Sequence, residues 1–323
     1  VGDVSLMRRP MQRVITPLTR MGASIESDEG GRPPLRIAGG AKLRGIHYDL
    51  PMASAQVKSC ILLAGLFADG ETSVTEPAPT RDHTERMLRG FGYELESADG
   101  VIRLRGGGQL RGCDIDVPAD ISSAAFLLVA ASIAPDSELL LTHVGVNPTR
   151  TGVISILRLM GADISLSNER EIGGEPVADI LVRSSALQGI DIPRELVPLA
   201  IDEFPVLFIA AACANGRTVL RGAVELRGKE SDRIASMAEG LTTLGIQNEV
   251  LDDGIIIEGG TLSGGTIKTF HDHRIAMSFA VAALRCEKQV KILDCDHVAT
   301  SFPGFDSLTR GLGLQIASQE GGE

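Results

Sequence analysis

Small apolar residues fill three helix-length stretches of the chain, and each stretch begins a few residues after a proline. They are residues 54–66, 122–134 and 201–214. A helix that is apolar around its whole circumference has to be covered on all sides, so these stretches are predicted as buried helices. Each is followed by a short strand pattern and then by a more polar helix that ends at a glycine, as at Gly161.

The same pattern recurs along the chain. Leu-x-Gly segments begin at Leu43, Leu110, Leu187 and Leu262, at intervals of 67, 77 and 75 residues, and each predicts a strand that opens a unit. Two further strands follow the closing glycines, so the predicted unit is βαβαββ. The predicted fold class is α+β, with repeated units whose apolar helices are buried and whose sheets lie outside. Residues 9–23 match the second helix alone, so we expect the chain to open within a further unit.

The length of 323 residues is large for one hydrophobic core and favours two domains. No linker rich in Pro, Gly or Ser divides the chain, so we expect the boundary between repeats, near residues 116–120. The predicted domains are residues 1–117 and 118–323.

A net charge of −11 argues against nucleic acid or an anionic membrane as a partner, so anion binding would have to come from local basic clusters. The apolar runs 124–134 and 206–214 are too short to span a bilayer. The five cysteines form no C-x-x-C pair, which is typical of reduced thiols. We therefore expect a soluble, cytoplasmic protein.

The most charged stretch is residues 226–233, directly before an amphipathic helix pattern that ends near Gly245. Glu230 is predicted to lie in the first turn of that helix. Lys229 and Arg233 add positive charge to a helix N-terminus, which already favours anions, so the stretch predicts an anion site that contains a titratable acid. The alternative is a solvated run of charges.

A second acid, Asp202, precedes the most apolar helix of the chain. Burial there would raise the pKa of its carboxyl towards that of a usable base. As an alternative, Asp202 caps the N-terminus of that helix, a position that Asp favours. Both interpretations can hold together.

Arginines stand near the start of each second helix, 11 to 13 residues before the closing glycine. They are Arg9, Arg81, Arg150 and Arg233. If equivalent helices point the same way, these arginines converge on a substrate with several phosphate or carboxylate groups. The alternative is that they lie on solvated helix starts.

Two further helix starts carry polar groups. Asp272 is predicted as a cap and Arg274 as an anion ligand, whereas a metal site is not expected because no H-E-x-x-H pattern or cysteine partner accompanies the neighbouring histidines. Ser54, Gln56 and Lys58 offer a hydroxyl, an amide and an amine, although a serine there would also be an ordinary helix cap.

Taken together and in order, these motifs resemble the 5-enolpyruvylshikimate-3-phosphate (EPSP) synthase family. The matching segments are Arg9-Pro10-Met11, Ser54-Ala55-Gln56, Thr80-Arg81-Asp82-His83-Thr84-Glu85, Asp202-Glu203-Phe204-Pro205, Lys229-Glu230-Ser231-Asp232-Arg233, Asp272-His273-Arg274 and Ser301-Phe302-Pro303. The resemblance implies two domains and enolpyruvyl transfer from phosphoenolpyruvate to the 5-hydroxyl of shikimate 3-phosphate, with release of phosphate and no cofactor or metal. It also implies that residues 1–117 belong to the domain that binds shikimate 3-phosphate.

The resemblance also implies roles for individual residues. Asp202 would be the base for the 5-hydroxyl, and Glu230 with Lys229 would handle the proton at the methylene of phosphoenolpyruvate. The other implied ligands are Arg9, Arg233 and Arg274 for phosphoenolpyruvate, and Ser54, Ala55, Gln56 and Arg81 for shikimate 3-phosphate, with Asp202 and Lys229 bridging the two.

The chain departs from the family pattern in two places. The family's N-terminal K-S-x-S-x-R segment and Asn-Ser-Gly-Thr loop are not in this sequence, and Thr300 stands where many members have Lys. In the family these segments contribute substrate ligands, so the resemblance does not imply that this chain is active by itself. The expected oligomeric state is a monomer, which the N-terminal segment would complete. Two alternatives stay open: a non-catalytic or split fragment, and the related transferase acting on UDP-N-acetylglucosamine, whose reactive loop cysteine has no counterpart at the matching stretch.

Overall fold

The chain divides into two compact units in the computed structural model, which describes residue 7 and residues 9–317. Unit 1 contains the described residues up to Val117 together with Glu171–Glu175. Unit 2 contains Pro118–Arg170 and the described residues from Pro176 onward. The sequence pattern did not anticipate that Glu171–Glu175 would group with unit 1.

Unit 1 has a four-stranded sheet backed by helices, and a separate two-stranded hairpin. Its helices are α1 Gln12–Arg20, α2 Ala55–Gly65 and α3 His83–Gly90, and its strands are β1 Ile25–Asp28, β2 Arg32–Ile37, β3 His47–Asp49, β4 Glu71–Thr75, β5 Leu95–Ala98 and β6 Val101–Arg105. The sheet order is β3-β4-β6-β5, with β3 parallel to β4 and the other pairs antiparallel. Ile61 and Leu62 of α2 are buried in the same core as Val74 and Leu104 of the sheet.

Unit 2 surrounds three apolar helices with three sheets. Its helices are α4 Ile121–Ile133, α5 Gly152–Leu159, α6 Phe204–Ala212, α7 Arg233–Thr243, α8 His273–Ala282, α9 Val298–Ser301 and α10 Phe305–Gly311, and its strands are β7 Glu138–Gly145, β8 Asp163–Ile172, β9 Glu175–Arg183, β10 Arg217–Leu220, β11 Asn248–Leu251, β12 Gly254–Glu258, β13 Gly265–Ile267 and β14 Val290–Ile292. The sheets have the orders β7-β9-β8, β10-β12-β11 and β13-β14. Every residue of α6 is buried, as its all-apolar sequence requires.

The α+β class and the buried apolar helices are confirmed. The two strands expected after each closing glycine form antiparallel hairpins, as in β11 with β12. The Leu-x-Gly strands are only partly formed, however. Residues 107–117 are exposed and contain no strand, and residues 187–192 make only isolated bridges at Gln188 and Asp191. The first of these segments has no buried apolar face, so nothing holds it against a sheet.

Two predicted helix starts lie further along the chain than expected. Helix α7 begins at Arg233, where the Asp232 carboxylate accepts a hydrogen bond from the backbone N–H of Ala235 at 3.1 Å. Helix α6 begins at Phe204, with Glu203 in the capping position and no side-chain cap bond. The prediction that Asp202 caps α6 was therefore wrong. Its carboxylate lies one residue too early and is directed at cationic side chains instead.

Among the described residues, none of the helices is both long and apolar enough to cross a membrane.

Helix α7 packs so closely against α8 that Gly240 has no room for a side chain. A Cβ built at Gly240 would lie 2.1 Å from Cζ of Phe279, which is itself fully buried. We expect Gly240→Ala to lower the free energy of unfolding by about 1–3 kcal/mol, because overpacking outweighs the gain in helix propensity. Urea denaturation would measure the change.

A matched control is available at Gly311, in the last turn of α10, where an added Cβ would meet no atom within 4 Å. Gly311→Ala should leave stability unchanged or raise it by up to about 1 kcal/mol. Equal effects of the two substitutions would contradict the close packing of α7 on α8.

Candidate active site

Asp202 lies at the centre of a cluster of positive charges in unit 2. Its Oδ1 is 3.2 Å from Nζ of Lys229 and 3.6 Å from Nη1 of Arg233, and its Oδ2 is 3.9 Å from Nη1 of Arg150. The Nη1 group of Arg274 donates a 2.8 Å hydrogen bond to the main-chain oxygen of Asp202. Four cationic side chains from three segments of unit 2 therefore meet at one acidic residue.

Glu230 is joined to the same cluster through Arg233. Its Oε2 is 2.6 Å from Nη2 of Arg233, whose Nη1 faces Asp202, so a single guanidinium bridges the two carboxylates. Lys229 also contacts Glu225 at 2.5 Å. An open pocket of about 420 Å³ lies beside Glu230 and is lined in addition by Ser231, Asp232, Ala235, Ser236, Glu239 and Phe270. The structure thus brings both predicted acid–base residues and Lys229 into one site.

A buried ion pair fixes the orientation of Arg233. Arg233 has only 2% of its side chain exposed, and its Nε donates to Oδ2 of Asp272 at 2.9 Å. Asp272 also accepts from the hydroxyl of Ser231 at 3.1 Å and from the backbone N–H of Arg274 at 2.9 Å, which confirms its predicted role as a helix cap. Burial alone would raise the pKa of Asp272, but the charge and hydrogen bond of Arg233, with the backbone hydrogen bond from Arg274, lower it.

A second buried acid, Glu203, lies behind Asp202. Its Oε1 accepts a 2.5 Å hydrogen bond from the Ser122 hydroxyl and lies 3.4 Å from Nη2 of Arg150 and 3.8 Å from Nη1 of Arg274. Burial raises the pKa of Glu203, although the two arginines oppose that effect. The sequence predicts a buried acid with a raised pKa at the neighbouring Asp202, and for Asp202 this stays a prediction.

The signal for Glu203 was present in the sequence. Glu203 directly precedes the apolar run of α6, which is buried, and an acid beside a buried helix needs polar partners wherever solvent does not reach it. The partners Ser122 and Arg150 could not be found from the sequence, because they lie 81 and 53 residues away and only the packing of α4, α5 and α6 brings them together.

Unit 1 contains a pocket of its own that gathers several of the predicted ligands. It measures about 460 Å³ and is lined by Ala55, Gln56, Ser59, Cys60, Leu63, Arg81, His83 and Thr84. Ser54 stands at the N-cap of α2, where its hydroxyl accepts from the backbone N–H of Val57 at 3.4 Å. Arg9 is half-buried ahead of α1 and is not among the residues that line this pocket.

The amine of Lys58 is not available to this pocket. Lys58 is buried and its Nζ lies 3.1 Å from Glu76 and 2.6 Å from Glu85. Glu76 in turn accepts a hydrogen bond from the hydroxyl of Thr80, the residue before Arg81. The interpretation of Lys58 as a possible ligand was therefore wrong. It anchors the loop that carries Arg81, because a buried ammonium needs carboxylate partners.

In the part of the chain that the structure describes, no group of His, Cys, Asp and Glu side chains is arranged to hold a metal ion. All five cysteines are free, and burial raises the pKa of Cys213 to about 12 and that of Cys286 to about 11. These two thiols are therefore poor nucleophiles at neutral pH.

Unit 2 thus offers two carboxylates bridged by a guanidinium, an ammonium beside one of them, and a further arginine at the N-terminus of α8. Such an arrangement can accept and donate protons while it binds the phosphate and carboxylate groups of a small anion.

The fold is that of enolpyruvyl transferases. The structure superposes on the enolpyruvyl transferase NikO from Streptomyces tendae with a TM-score of 0.79 over 97% of this chain and 73% of that chain, and at 19% identity this likeness shows the fold alone. It superposes on the EPSP synthase of Acinetobacter baumannii with a TM-score of 0.92 and 58% identity, over 99% of this chain and 74% of that chain.

The sequence comparisons narrow the class to one family. The family model described as EPSP synthase (3-phosphoshikimate 1-carboxyvinyltransferase) matches residues 1–308. The 3-phosphoshikimate 1-carboxyvinyltransferase of Methylococcus capsulatus is 62% identical over 315 residues, which are 98% of this chain and 72% of that protein. The chain belongs to the EPSP synthase family. The resemblance stated from the motifs is confirmed, and the comparisons do not favour either alternative.

Proposed function

We propose that the chain carries the catalytic groups for the transfer of the enolpyruvyl group of phosphoenolpyruvate to the 5-hydroxyl of shikimate 3-phosphate. Family membership supports this reaction. The observation that carries the assignment to residues is that the two terminal nitrogens of Arg233 contact Asp202 at 3.6 Å and Glu230 at 2.6 Å, with Lys229 3.2 Å from Asp202. The transfer needs two proton-handling groups and strong anion binding in one place, and this cluster supplies both.

In this assignment, Asp202 takes the proton of the 5-hydroxyl as its oxygen bonds to the central carbon of phosphoenolpyruvate. Glu230 with Lys229 gives a proton to the methylene carbon, which becomes a methyl group. When the bond to phosphate breaks, a proton leaves that methyl group and the vinyl double bond is restored. Protons therefore balance. The hydroxyl proton ends on phosphate or a protein base, and the proton that Glu230 and Lys229 give to the methylene carbon is removed again when phosphate leaves.

Arg233 and Arg274 would bind the phosphate and carboxylate of phosphoenolpyruvate. Arg233 enters this role already oriented by Asp272, and Arg274 by the main chain of Asp202. Donors held in place before the substrate arrives stabilise developing negative charge without reorganisation. Arg9, which belongs to unit 1, is proposed as a third ligand from the resemblance.

Shikimate 3-phosphate would bind through Ser54, Ala55, Gln56 and Arg81. Three of these four residues line the unit 1 pocket, next to a 2.6 Å hydrogen bond between Ser59 and Thr84 that ties α2 to α3. We further propose that the protein acts as a monomer in the cytoplasm and uses no cofactor. Sedimentation at several concentrations would test the first of these proposals.

The reaction is tested by following phosphate release from shikimate 3-phosphate and phosphoenolpyruvate, with the chain alone and with the family's N-terminal segment supplied as a second polypeptide. Product that depends on both substrates is expected in at least the second mixture. Absence of product from both mixtures, although the chain is folded and binds phosphoenolpyruvate, would reject the proposed reaction.

A further inference from the structure

The proposed reaction assigns no step to Glu203, yet three side chains contact its carboxylate. Only 2% of its side chain is exposed. Ser122 from α4 donates to Oε1 at 2.5 Å, Arg150 from the segment before α5 approaches the same oxygen to 3.4 Å, and Arg274 from α8 approaches it to 3.8 Å. One oxygen atom of a buried side chain thus joins three elements of unit 2.

We propose that Glu203 is a positioning residue that orients the guanidinium of Arg274 towards the anionic substrate. The proposal rests on the function proposed above, in which Arg274 binds phosphoenolpyruvate. It adds a group that does not touch the substrate but determines how tightly the substrate is held.

The geometry around Arg274 supports this role. Its Nη1 faces two acceptors on its inner side, the main-chain oxygen of Asp202 at 2.8 Å and Oε1 of Glu203. A guanidinium is a planar fork of five N–H donors, so the orientation of one terminal nitrogen, once fully restrained, sets the direction of the others. The backbone oxygen alone would leave the plane free to rotate about that hydrogen bond. A second, charged acceptor on the same nitrogen restrains this rotation.

Arg150 and Ser122 hold Glu203 in turn. Arg150 donates to the Ser122 hydroxyl, which donates to Glu203, and the other terminal nitrogen of Arg150 lies 3.9 Å from Asp202. The described contacts of Arg150 are therefore with neighbouring protein groups. The prediction from the helix starts was that Arg150 would bind substrate, as would Arg9, Arg81 and Arg233. The arrangement fixes the carboxylate of Glu203 and the side chain of Asp202 relative to each other.

The charge on Glu203 is essential to this positioning role, because a neutral side chain would attract Arg274 much less. The charged groups that face it are Arg150 ahead of α5, Arg274 on α8 and the adjacent Asp202. Burial and Asp202 favour the protonated form, whereas the two arginines favour the ionised form, and the pKa of Glu203 is raised on balance. Acidification should therefore release Arg274 before most carboxyls of the protein titrate.

The test compares the wild type with Glu203→Gln, Glu203→Asp and a control, Glu138→Gln. The glutamine keeps the size of the side chain and can still accept from Ser122 but carries no charge. Glu138 forms an exposed 2.7 Å pair with Arg183 between β7 and β9, so its replacement makes the same chemical change away from the cluster. For each protein, KM for both substrates, kcat and Tm are measured in the complemented assay described above, and Kd for phosphoenolpyruvate is measured by calorimetry.

We expect Glu203→Gln to raise KM and Kd for phosphoenolpyruvate about 10- to 100-fold, the scale of a misplaced binding group, while KM for shikimate 3-phosphate stays nearly unchanged. Glu203→Asp should recover part of the loss, and Glu138→Gln should match the wild type. Because a protonated glutamate resembles glutamine, the ratio of Kd values between Glu203→Gln and the wild type should approach one as the pH falls through the pKa of Glu203.

Several results would overturn the proposal. The first is an unchanged Kd for phosphoenolpyruvate in Glu203→Gln, and the second is an equal rise in KM for both substrates together with a lower Tm. The third is a ratio of Kd values that does not vary with pH. The fourth is a Glu203→Asp variant that binds phosphoenolpyruvate no more tightly than Glu203→Gln does. Tight phosphoenolpyruvate binding by the wild type without transfer would reject the proposed reaction alone, since the comparison of Kd values would still decide the role of Glu203.

Discussion

Asp202→Asn should lower kcat for phosphate release by about 10³-fold, within the range that a positioned general base contributes. The amide has the shape of the carboxylate and keeps an oxygen that can face Lys229 at the same place, but it cannot take up the proton of the 5-hydroxyl. The backbone oxygen of Asp202, which binds Arg274, is unaffected by the change. KM for phosphoenolpyruvate should therefore change much less than kcat, and steady-state kinetics would separate the two effects.

Asp253→Asn provides the matched control for this variant. Asp253 is an acid of the same unit that contacts Arg221 at 3.3 Å, and 35% of its side chain is exposed, against 16% for Asp202. The control should retain kcat to within about twofold, as most surface substitutions do. A kcat near that of the wild type in Asp202→Asn, with the protein folded by circular dichroism, would remove Asp202 from the role of base. A lower kcat in both Asp202→Asn and Asp253→Asn would indicate a general effect of the removed negative charge.

The sequence predicts the local features of this protein well because periodicity and composition report on burial. The apolar runs around Phe126 and Phe208 carry no polar face, and a chain can satisfy that pattern only with covered helices. Hairpins such as β11 with β12 are marked by turn residues between two short apolar segments. The Leu-x-Gly strands were over-predicted, because a repeated motif does not guarantee that each copy has a partner strand.

The sequence indicated that several charged residues of unit 2 would lie together, but not which contacts connect them. Cationic residues at helix starts, such as Arg233 and Arg274, stand out because a positive charge there opposes the helix dipole and does not favour stability by itself. That Arg233 bridges Asp202 and Glu230 depends on packing between segments about 30 residues apart. The roles of Glu203 and Lys58 depend on which side chains are buried together, and no local pattern contains that information.

The largest expected loss of stability is for Asp272→Asn, which we expect to lower the free energy of unfolding by about 3 kcal/mol. Asp272 is fully buried and faces Arg233, which is also buried. Removing one partner of a buried ion pair typically costs about 3–5 kcal/mol, because the other charge is left without compensation. We expect the lower end of this range, because Arg233 keeps Glu230 at 2.6 Å and Asp202 at 3.6 Å, and because asparagine can still cap α8. Urea denaturation at neutral pH would measure the loss.

The sign of the pH dependence follows from the lowered pKa of Asp272. An acid whose pKa is lower in the folded state than in the unfolded chain adds stability above its ordinary pKa, and this stability disappears as the pH falls through the folded value. The difference in stability between the wild type and Asp272→Asn should therefore be largest near neutral pH and shrink below about pH 4, where the wild type loses the same charge. A difference that stays constant down to pH 2 would show that the loss comes from packing or hydrogen bonding.

Replacing both partners distinguishes the net contribution of the ion pair to the free energy of unfolding from the loss caused by removing one partner alone. The double variant Arg233→Met with Asp272→Leu removes both charges of the buried pair, and buried pairs replaced by apolar residues of similar size often lose little stability. Asp202 keeps Lys229 at 3.2 Å, and Glu230 has 33% of its side chain exposed to solvent. We expect the double variant to recover most of the loss seen in Asp272→Asn while phosphoenolpyruvate binding is abolished, because Arg233 is gone. That outcome would mean that the pair is present to orient Arg233 for the substrate. If the double variant were less stable than Asp272→Asn, the pair would itself be a main support of unit 2.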